Sequence, residues 1–478
     1  MFSEVLSCAV SGIDGLLIHV EADVSEGLPM FNMVGFLASE VREANERVRT
    51  ALRNAGFILP PKKITVNLSP ANIRKEGSSF DLPIAITILS AMGYIPQEYL
   101  NNIVIIGELS LDGHINSVNG VLPIVHYCKN QGIDRFIVPY SNRLEGGIID
   151  EVDVIGCKTL SEVVDYLNDN RSLEPIKVDV ENIFKQKETF ESDFSLIKGQ
   201  WTMRRAMEIA VAGRHNVLIM GSAGSGKSLA AKCLPSIMPD LTFEEAIDIT
   251  KIYSVSGMLD ESKGLILKRP FRAPHHTISE KALIGGGTHP RPGEISLAHN
   301  GVLFLDEFLE FNKNVIEVLR QPLEDKKVTI SRIHGSYTYP TDTMLVAAMN
   351  PCPCGNYPDF SRCSCTRPQI KRYLNKVSKA ILDRIDVSVM VMPVKYDELY
   401  SENSGESSGD IRKRIIDAVD IQKHRYMDTG KLYNSQMTNE DIQLYCHISK
   451  KDKELFKKAF DRLGLSARAG ERILKVAR

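Results

Sequence analysis

A chain of 478 residues is too long for one hydrophobic core and predicts two to four domains. Hydrophobic content of 43%, charge of 25% and a net charge of −2 exclude the global basic signature of a nucleic-acid binder, so any basic surface must be local. The opening MFSEVLSCAVSGIDG does not read as a signal peptide, no stretch approaches a membrane span, and nine cysteines, four of them in one loop, fit a reducing cytosol with one metal or redox site better than a disulfide framework.

Along the chain, residues 1–172 alternate short β-branched runs (LLIHVEADV, KKITVNLS, NIVIIGEL, RFIVPY) with helical patterns such as ASEVREANERVRTALRNAG, the signature of an α/β domain. Residues 173–192 are charged and weakly periodic and read as a linker. Strands and helices alternate again over 193–398. A polar hinge, SENSGESSGD, then leads into a segment, 411–478, that is helical throughout and breaks at Gly464. Its last helix reaches Arg478 without a capping signal, the pattern of a helix cut before its natural end.

The stretch NVLIMGSAGSGKSLAAKCL is an apolar strand, then Gly221, Ser222, Ala223, Gly224, Ser225, Gly226, Lys227 and Ser228, then a helical pattern. That spacing in a strand–loop–helix context predicts a phosphate-binding loop. Backbone N–H groups would curl around phosphate oxygens, Lys227 would reach the β and γ phosphates of ATP, and Ser228 would ligate Mg²⁺. Downstream, GVLFLDEF delivers Asp306 and Glu307 at the end of a buried strand, Asp306 toward the Mg²⁺ shell and Glu307 as the base for the attacking water. Between them and the next strand, DKKVTISRIHGSYTYPT reads as a β-hairpin around His334-Gly335. Its Lys326, Lys327, Arg332, Tyr337 and Tyr339 offer cations and stacking faces to nucleic acid; packing against a neighbouring subunit is the alternative.

The strand TMLVAAMN ends in Asn350, placed to orient the lytic water. Directly after it, residues 349–365 hold Cys352, Cys354, Cys363 and Cys365. Four thiolates in so short a loop favour structural tetrahedral Zn²⁺, with a redox pair or unligated thiols as alternatives. The basic run that follows includes Arg367, Lys371, Arg372, Lys376 and Lys379, a solvated helix face or a set of DNA phosphate contacts. Arg384 either pairs locally with Asp383 or Asp386 or, in a ring, enters the neighbour's site. His275 and His276 lack a matching carboxylate in the sequence and suggest a structural or intersubunit role.

These stretches, above all PFRAPHHTISEKALIGGGTHPRPGEISLAHNGVLFLDEF and LRQPLEDKKVTISRIHGSYTYPTDTMLVAAMNPCPCG, closely resemble the YifB/ComM family of magnesium-chelatase-like AAA+ ATPases. The resemblance runs from SCAVSGIDGLLIHVEADVSEGLPMFNMVGF to GLSARAGERILKVAR. It implies a Lon-protease-like α/β domain, a P-loop AAA+ α/β core with a parallel sheet and a C-terminal helical lid, assembled as a ring, a hexamer by expectation. It further implies ATP-driven branch migration on single-stranded or branched DNA during homologous recombination in natural transformation, with recombination or competence proteins as partners. A chelatase-like remodeller of a protein or tetrapyrrole is the other reading. By the same resemblance Asn350 looks like sensor 1, Arg384 like the arginine finger and Arg468 like the sensor-2 arginine, with Arg472 as the alternative. Aligned on Lon peptidases, Ser79 takes the nucleophile's place but Leu122 replaces the lysine base. A serine without a base is a poor nucleophile, so the first domain is expected to be catalytically inactive.

Overall fold

Alternation of buried and half-exposed residues makes β1 (Phe2–Ser11) and β2 (Asp14–Ser25) a long antiparallel ladder, turned at Gly12 with φ 69°. The computed structural model describes residues 1–185, 190–332, 335–394, 396–400 and 405–478. Part of the expected linker (186–189), the expected hairpin turn at His334 and the start of the polar hinge (401–404) lie outside the described residues.

β3 (Met30–Val34), β4 (Lys63–Ser69), β5 (Ile103–Ile105), β8 (Arg135–Pro139) and β9 (Asp153–Cys157) complete a seven-stranded mixed sheet in the order β3-β4-β2-β1-β5-β8-β9. A small ribbon, β6 (Glu108–Leu109) with β7 (Ile115–Asn116), stands apart from it. α1 (Ser39–Asn54) turns Val41, Ala44, Val48, Ala51 and Leu52 inward at helical spacing. α2 (Asp81–Ala91) is buried along its whole length and forms the centre of this core. α3 (Val121–Asn130), α4 (Arg143–Gly146) and α5 (Leu160–Leu167) follow, and α6 (Val180–Lys185) buries nothing.

After α7 (Trp201–Gly213), β10 (Val217–Gly221) runs into α8 (Lys227–Ile237) and then α9 (Phe243–Ser256). β11 (Phe271–Arg272), β14 (Val302–Leu305), β17 (Met344–Met349) and β18 (Val387–Val391) join β10 in a five-stranded parallel sheet ordered β11-β14-β17-β10-β18. Its central strands β14 and β17 are buried on both faces, which explains their continuous apolar runs, while the edge strand β18 exposes Ser388 and Met390. Val217, Ile219, Val302, Phe304, Val346 and Val389 face α7 and α8, while Leu218, Leu303, Leu305, Leu345 and Ala347 face the opposite layer around Phe308, Leu319 and Ile381.

Short pieces fill the connections: α10 (Glu280–Ile284), the ribbon of β12 (Gly285–Gly286) and β13 (Arg291–Pro292), α11 (Glu294–Leu297), α12 (Lys313–Glu317) and α13 (Arg320–Asp325). β15 (Lys327–Arg332) and β16 (Gly335–Pro340) pair as a separate two-stranded sheet. α14 (Arg367–Leu374), α15 (Lys379–Leu382) and α16 (Tyr396–Leu399) precede α17 (Ser408–Arg425), whose Ile411, Ile415 and Val419 join the α7–α8 core. α18 (Asn439–Tyr445), α19 (Lys450–Leu463) and α20 (Ala467–Ala477) follow, with a small cluster around Tyr426, Met437 and Ile442 that Leu474 covers.

The chain divides into two compact units, and not where the sequence divides it. The first holds Met1–Lys187 together with Phe243–Leu267 and Thr329–Tyr339; the second holds Glu188–Thr242, Lys268–Val328 and Pro340–Arg478. Helix α9 and most of the β15–β16 hairpin therefore belong with the N-terminal sheet. Within that unit Lys251 of α9 meets His126 Nδ1 of α3 at 3.2 Å. The Gly120 N–H donates to Ser254 Oγ at 3.0 Å.

Candidate nucleotide-binding site

The second unit carries its site where an open parallel sheet offers one, beyond the C-terminal ends of neighbouring strands. β10 ends at Gly221, where a Cβ would lie 2.6 Å from the Val391 carbonyl oxygen, so no side chain fits. Gly226, with φ 88°, turns the loop into α8 in a conformation costly for any other residue. α8 then starts on Lys227, with its free N–H groups and the positive end of its dipole facing the loop.

Lys227 Nζ donates to the Gly221 and Ser222 carbonyls, both at 2.8 Å, and lies 3.4 Å from Asn350 Oδ1. Burial pulls this ammonium below its ordinary pKa, partly offset by Asp306 and Glu307. Ser228 Oγ donates to Asp306 Oδ2 at 2.6 Å, and the Glu307 N–H donates to Asp306 Oδ1 at 2.9 Å. Ala223 to Leu229, Asp306, Glu307, Asn350, Glu310, Pro353, Tyr373 and Lys376 line one cavity of about 830 Å³, within the usual size of a cofactor pocket. A loop of N–H donors, a lysine and a hydroxyl–carboxylate pair is the donor set that a nucleotide triphosphate and Mg²⁺ require. The fit is good for both.

Sequence reasoning missed three residues here. His276 Nδ1 stands 3.5 Å from Glu307 Oε2, so one member of the histidine pair addresses the expected base and not only a structural contact. Tyr373 and Lys376 reach the same cavity from the basic run. The basic pattern gave Lys376 as a charge, but nothing in the pattern pointed it inward.

The arginines gather elsewhere. Arg384 pairs with Glu324 and donates to the Ala380 carbonyl at 2.6 Å, while Arg468 approaches Glu324 at 3.5 Å. Arg472 donates to the Ile385 carbonyl at 3.1 Å and faces Asp386 at 3.7 Å. Together with Arg214, Lys326 and Lys475 they line a second cavity of about 250 Å³ that shares no lining residue with the phosphate cavity.

The four cysteines converge: the sulfurs of Cys352, Cys354, Cys363 and Cys365 lie within 4.8 Å of one another. The sulfurs of Cys352 and Cys354 are 3.4 Å apart, those of Cys352 and Cys363 3.8 Å, and those of Cys354 and Cys363 3.6 Å. Four thiolates around one Zn²⁺ at about 2.3 Å would have edges of about 3.8 Å, so the cluster suits such an ion. The Tyr357 N–H points at Cys352 Sγ at 3.4 Å, as supporting donors do around metal thiolates. A Cβ on Gly355 would lie 3.9 Å from the Ala223 nitrogen, which seats this loop beside the phosphate loop.

The expected nucleic-acid contacts separate. Lys371 and Arg372 are exposed on α14 of the second unit. Lys327 and Arg332 are exposed on the hairpin, whose tyrosines are less available: Tyr337 is half-buried and Tyr339 is 1% exposed, which removes Tyr339 as a stacking face. Lys326 turns from the hairpin to Asp342 at 3.2 Å and lines the arginine cavity.

In the first unit Leu122 is fully buried in the opening turn of α3, and its N–H donates to Glu145 Oε1 at 2.8 Å. Ser254 Oγ donates to the same oxygen, and Asn142 Nδ2 donates to Glu145 Oε2 at 3.1 Å. Burial pushes the Glu145 carboxyl above its ordinary range, against the pull of those donors. No lysine occupies this helix start. Lys75, also fully buried, donates to the Pro70 carbonyl, and Ser79 contributes its backbone carbonyl to the Gly107 N–H at 2.9 Å.

A parallel sheet in this order, with a phosphate loop after β10, an acidic pair after β14 and an asparagine after β17, defines a P-loop ATPase of the AAA+ class. Comparison with known proteins agrees: the family model described as magnesium chelatase, subunit ChlI, matches residues 193–399, its C-terminal counterpart matches 405–478, and subunit ChlI of Mg-chelatase matches 20–142. Competence protein ComM of Haemophilus influenzae is 40% identical over 99% of this chain and 92% of its own length. The YifB protein of Salmonella typhimurium is 38% identical over 98% of this chain and 91% of its own. Lon protease 2 of Bacillus subtilis is 34% identical over 125 residues, 26% of this chain and 22% of that protein. The chain belongs to the YifB/ComM family of magnesium-chelatase-like AAA+ ATPases. No helix among the described residues is long and apolar enough to cross a membrane.

Proposed function

We propose that this chain is a cytoplasmic Mg²⁺-dependent ATPase that assembles as a hexameric ring, translocates on DNA and promotes branch migration in homologous recombination, including natural transformation. The observation that carries the ATPase part is the single cavity shared by Lys227, Ser228, Asp306, Glu307 and Asn350. In it the loop N–H groups and Lys227 bind the phosphates, and Ser228 and Asp306 offer oxygens to the metal. Glu307 takes a proton from the attacking water, and Asn350 orients that water. Mg²⁺ held by Ser228 and Asp306 would supply charge neutralisation to the phosphates.

The ring is supported by the position of Arg384 and Arg468. Neither lines the chain's own phosphate cavity, which suits a role at a neighbour's nucleotide. An arginine supplied in this way contributes about 10³–10⁵ in rate where such fingers act. DNA as the substrate is supported by the competence role in the name of the Haemophilus relative and by the exposed Lys371 and Arg372. Structural Zn²⁺ in the four-cysteine loop belongs to the same reading.

The test is ATP turnover with and without single-stranded and four-way-junction DNA, at low and high salt, beside Lys227→Ala. Stimulation by DNA that fades with salt and vanishes in the variant is the expected result, because phosphate contacts release counterions. Turnover indifferent to every DNA would overturn the translocase and favour a remodeller of a protein or tetrapyrrole partner.

A further inference from the structure

Lys376 belongs to a basic run that reads as a solvent or DNA face, yet it lines the phosphate cavity together with Lys227. It sits in the turn between α14 and α15, and its Nζ donates to the Leu309 carbonyl at 3.2 Å and lies 3.5 Å from Glu310 Oε2. Leu309 and Glu310 form the short turn directly after Glu307, so this lysine is moored to the backbone that carries the base. The Tyr373 ring, one turn earlier and lining the same cavity, holds the ammonium 5.2 Å from its centroid. Lys376 and Glu310 are 48% and 47% exposed, and a pair held so loosely in water contributes little. Such a cation exchanges its carboxylate for a more highly charged anion at little cost, and a flexible four-carbon stem lets it move.

We infer that Lys376 is a second in-chain cation for the terminal phosphate of a nucleoside triphosphate, parked on Glu310 until that phosphate arrives and steadied by Tyr373. The inference rests on the ATPase reading and deepens it. Lys227, at the start of α8, can reach the β and γ phosphates alike, whereas Lys376 is tied to the turn that directly follows Glu307. It therefore distinguishes a triphosphate from a diphosphate and ties that distinction to the loop bearing the base.

The test compares wild type, Lys376→Ala, Lys376→Arg and Lys227→Ala in full-length protein, reading kcat and KM for ATP and the affinities for fluorescent ATP and ADP analogues, with melting temperature alongside. Lys376→Ala should lower kcat by about tenfold and erase most of any preference for the triphosphate, the order expected when one charge-assisted phosphate contact is lost. Lys376→Arg should restore most of both. An alanine variant with wild-type kcat and unchanged ATP-to-ADP preference, while Lys227→Ala is inactive, would overturn this inference alone. Equal loss of melting temperature and kcat in the alanine and arginine variants would also overturn it, as a structural role. Nucleotide binding indistinguishable between wild type and Lys227→Ala would overturn the ATPase reading and this inference together.

Discussion

Helices α3 and α8 begin alike and serve opposite ends. Each follows a glycine in the left-handed region, Gly120 at φ 84° and Gly226 at φ 88°, and each aims its first N–H groups and the positive end of its dipole out of the helix. At α8 the first residue is Lys227 and the N–H groups face an open cavity. At α3 the corresponding space is filled: the Leu122 N–H ends on Glu145 and the Gly120 N–H on Ser254. The same local geometry is a phosphate site when left open and a packed joint when the chain supplies its own carboxyl group. The residue that fills the helix start, and not the backbone, decides between them.

That contrast can be broken at several points, in decreasing order of effect. Lys227→Ala removes the cation from the open helix start, and steady-state phosphate release should fall by about 10³ or more, since an electrostatic contact to the transition state is lost in a shielded cavity. Glu307→Gln should cost about 10²-fold or more in the same assay while retaining binding of a fluorescent ATP analogue, because only the base is lost. At the closed helix start, Glu145→Ala strands the Leu122 N–H, the Asn142 amide and Ser254, and should lower unfolding free energy by about 2–3 kcal/mol in a denaturant titration.

The closed site also predicts a pH dependence. A carboxyl raised in the folded state binds more protons folded than unfolded, so its contribution is full below the ordinary value of 4.5 and declines as pH climbs through the raised value. Glu145→Gln should flatten that decline in melting temperature measured against pH. Replacing Cys354 and Cys365 by Ser should remove bound zinc, measured by atomic emission, and lower melting temperature by several degrees. Ser79→Ala should leave ATP turnover and melting temperature unchanged, for a buried leucine, Leu122, stands where the lysine base would.

The phosphate loop was legible because its parts are consecutive, and Asp306 and Asn350 were legible because each ends a continuous apolar strand. Tyr373 and Lys376, which line the cavity, and His276, which approaches Glu307, were not, since each comes from a segment whose local pattern says nothing of its partners. Helix α9 shows the same limit on a larger scale. Its periodicity fixes a helix, but which sheet receives it depends on Lys251 meeting His126 and Ser254 meeting Glu145, pairings far apart in sequence. The hairpin's alternation predicted two paired strands and missed that Tyr339 is buried.

The discontinuity of the first unit sets an order of events during synthesis. Ser254 follows its partner Glu145 by 109 residues, so it emerges from the ribosome about 5–20 s after Glu145 at ordinary elongation rates. The hairpin residues Thr329–Tyr339 come later still. The N-terminal unit cannot finish folding ahead of the rest as a leading domain ordinarily does. Its last segments arrive only after the phosphate loop and the acidic strand are made, so a nascent chain stalled at residue 187 should engage chaperones longer than one released at residue 339.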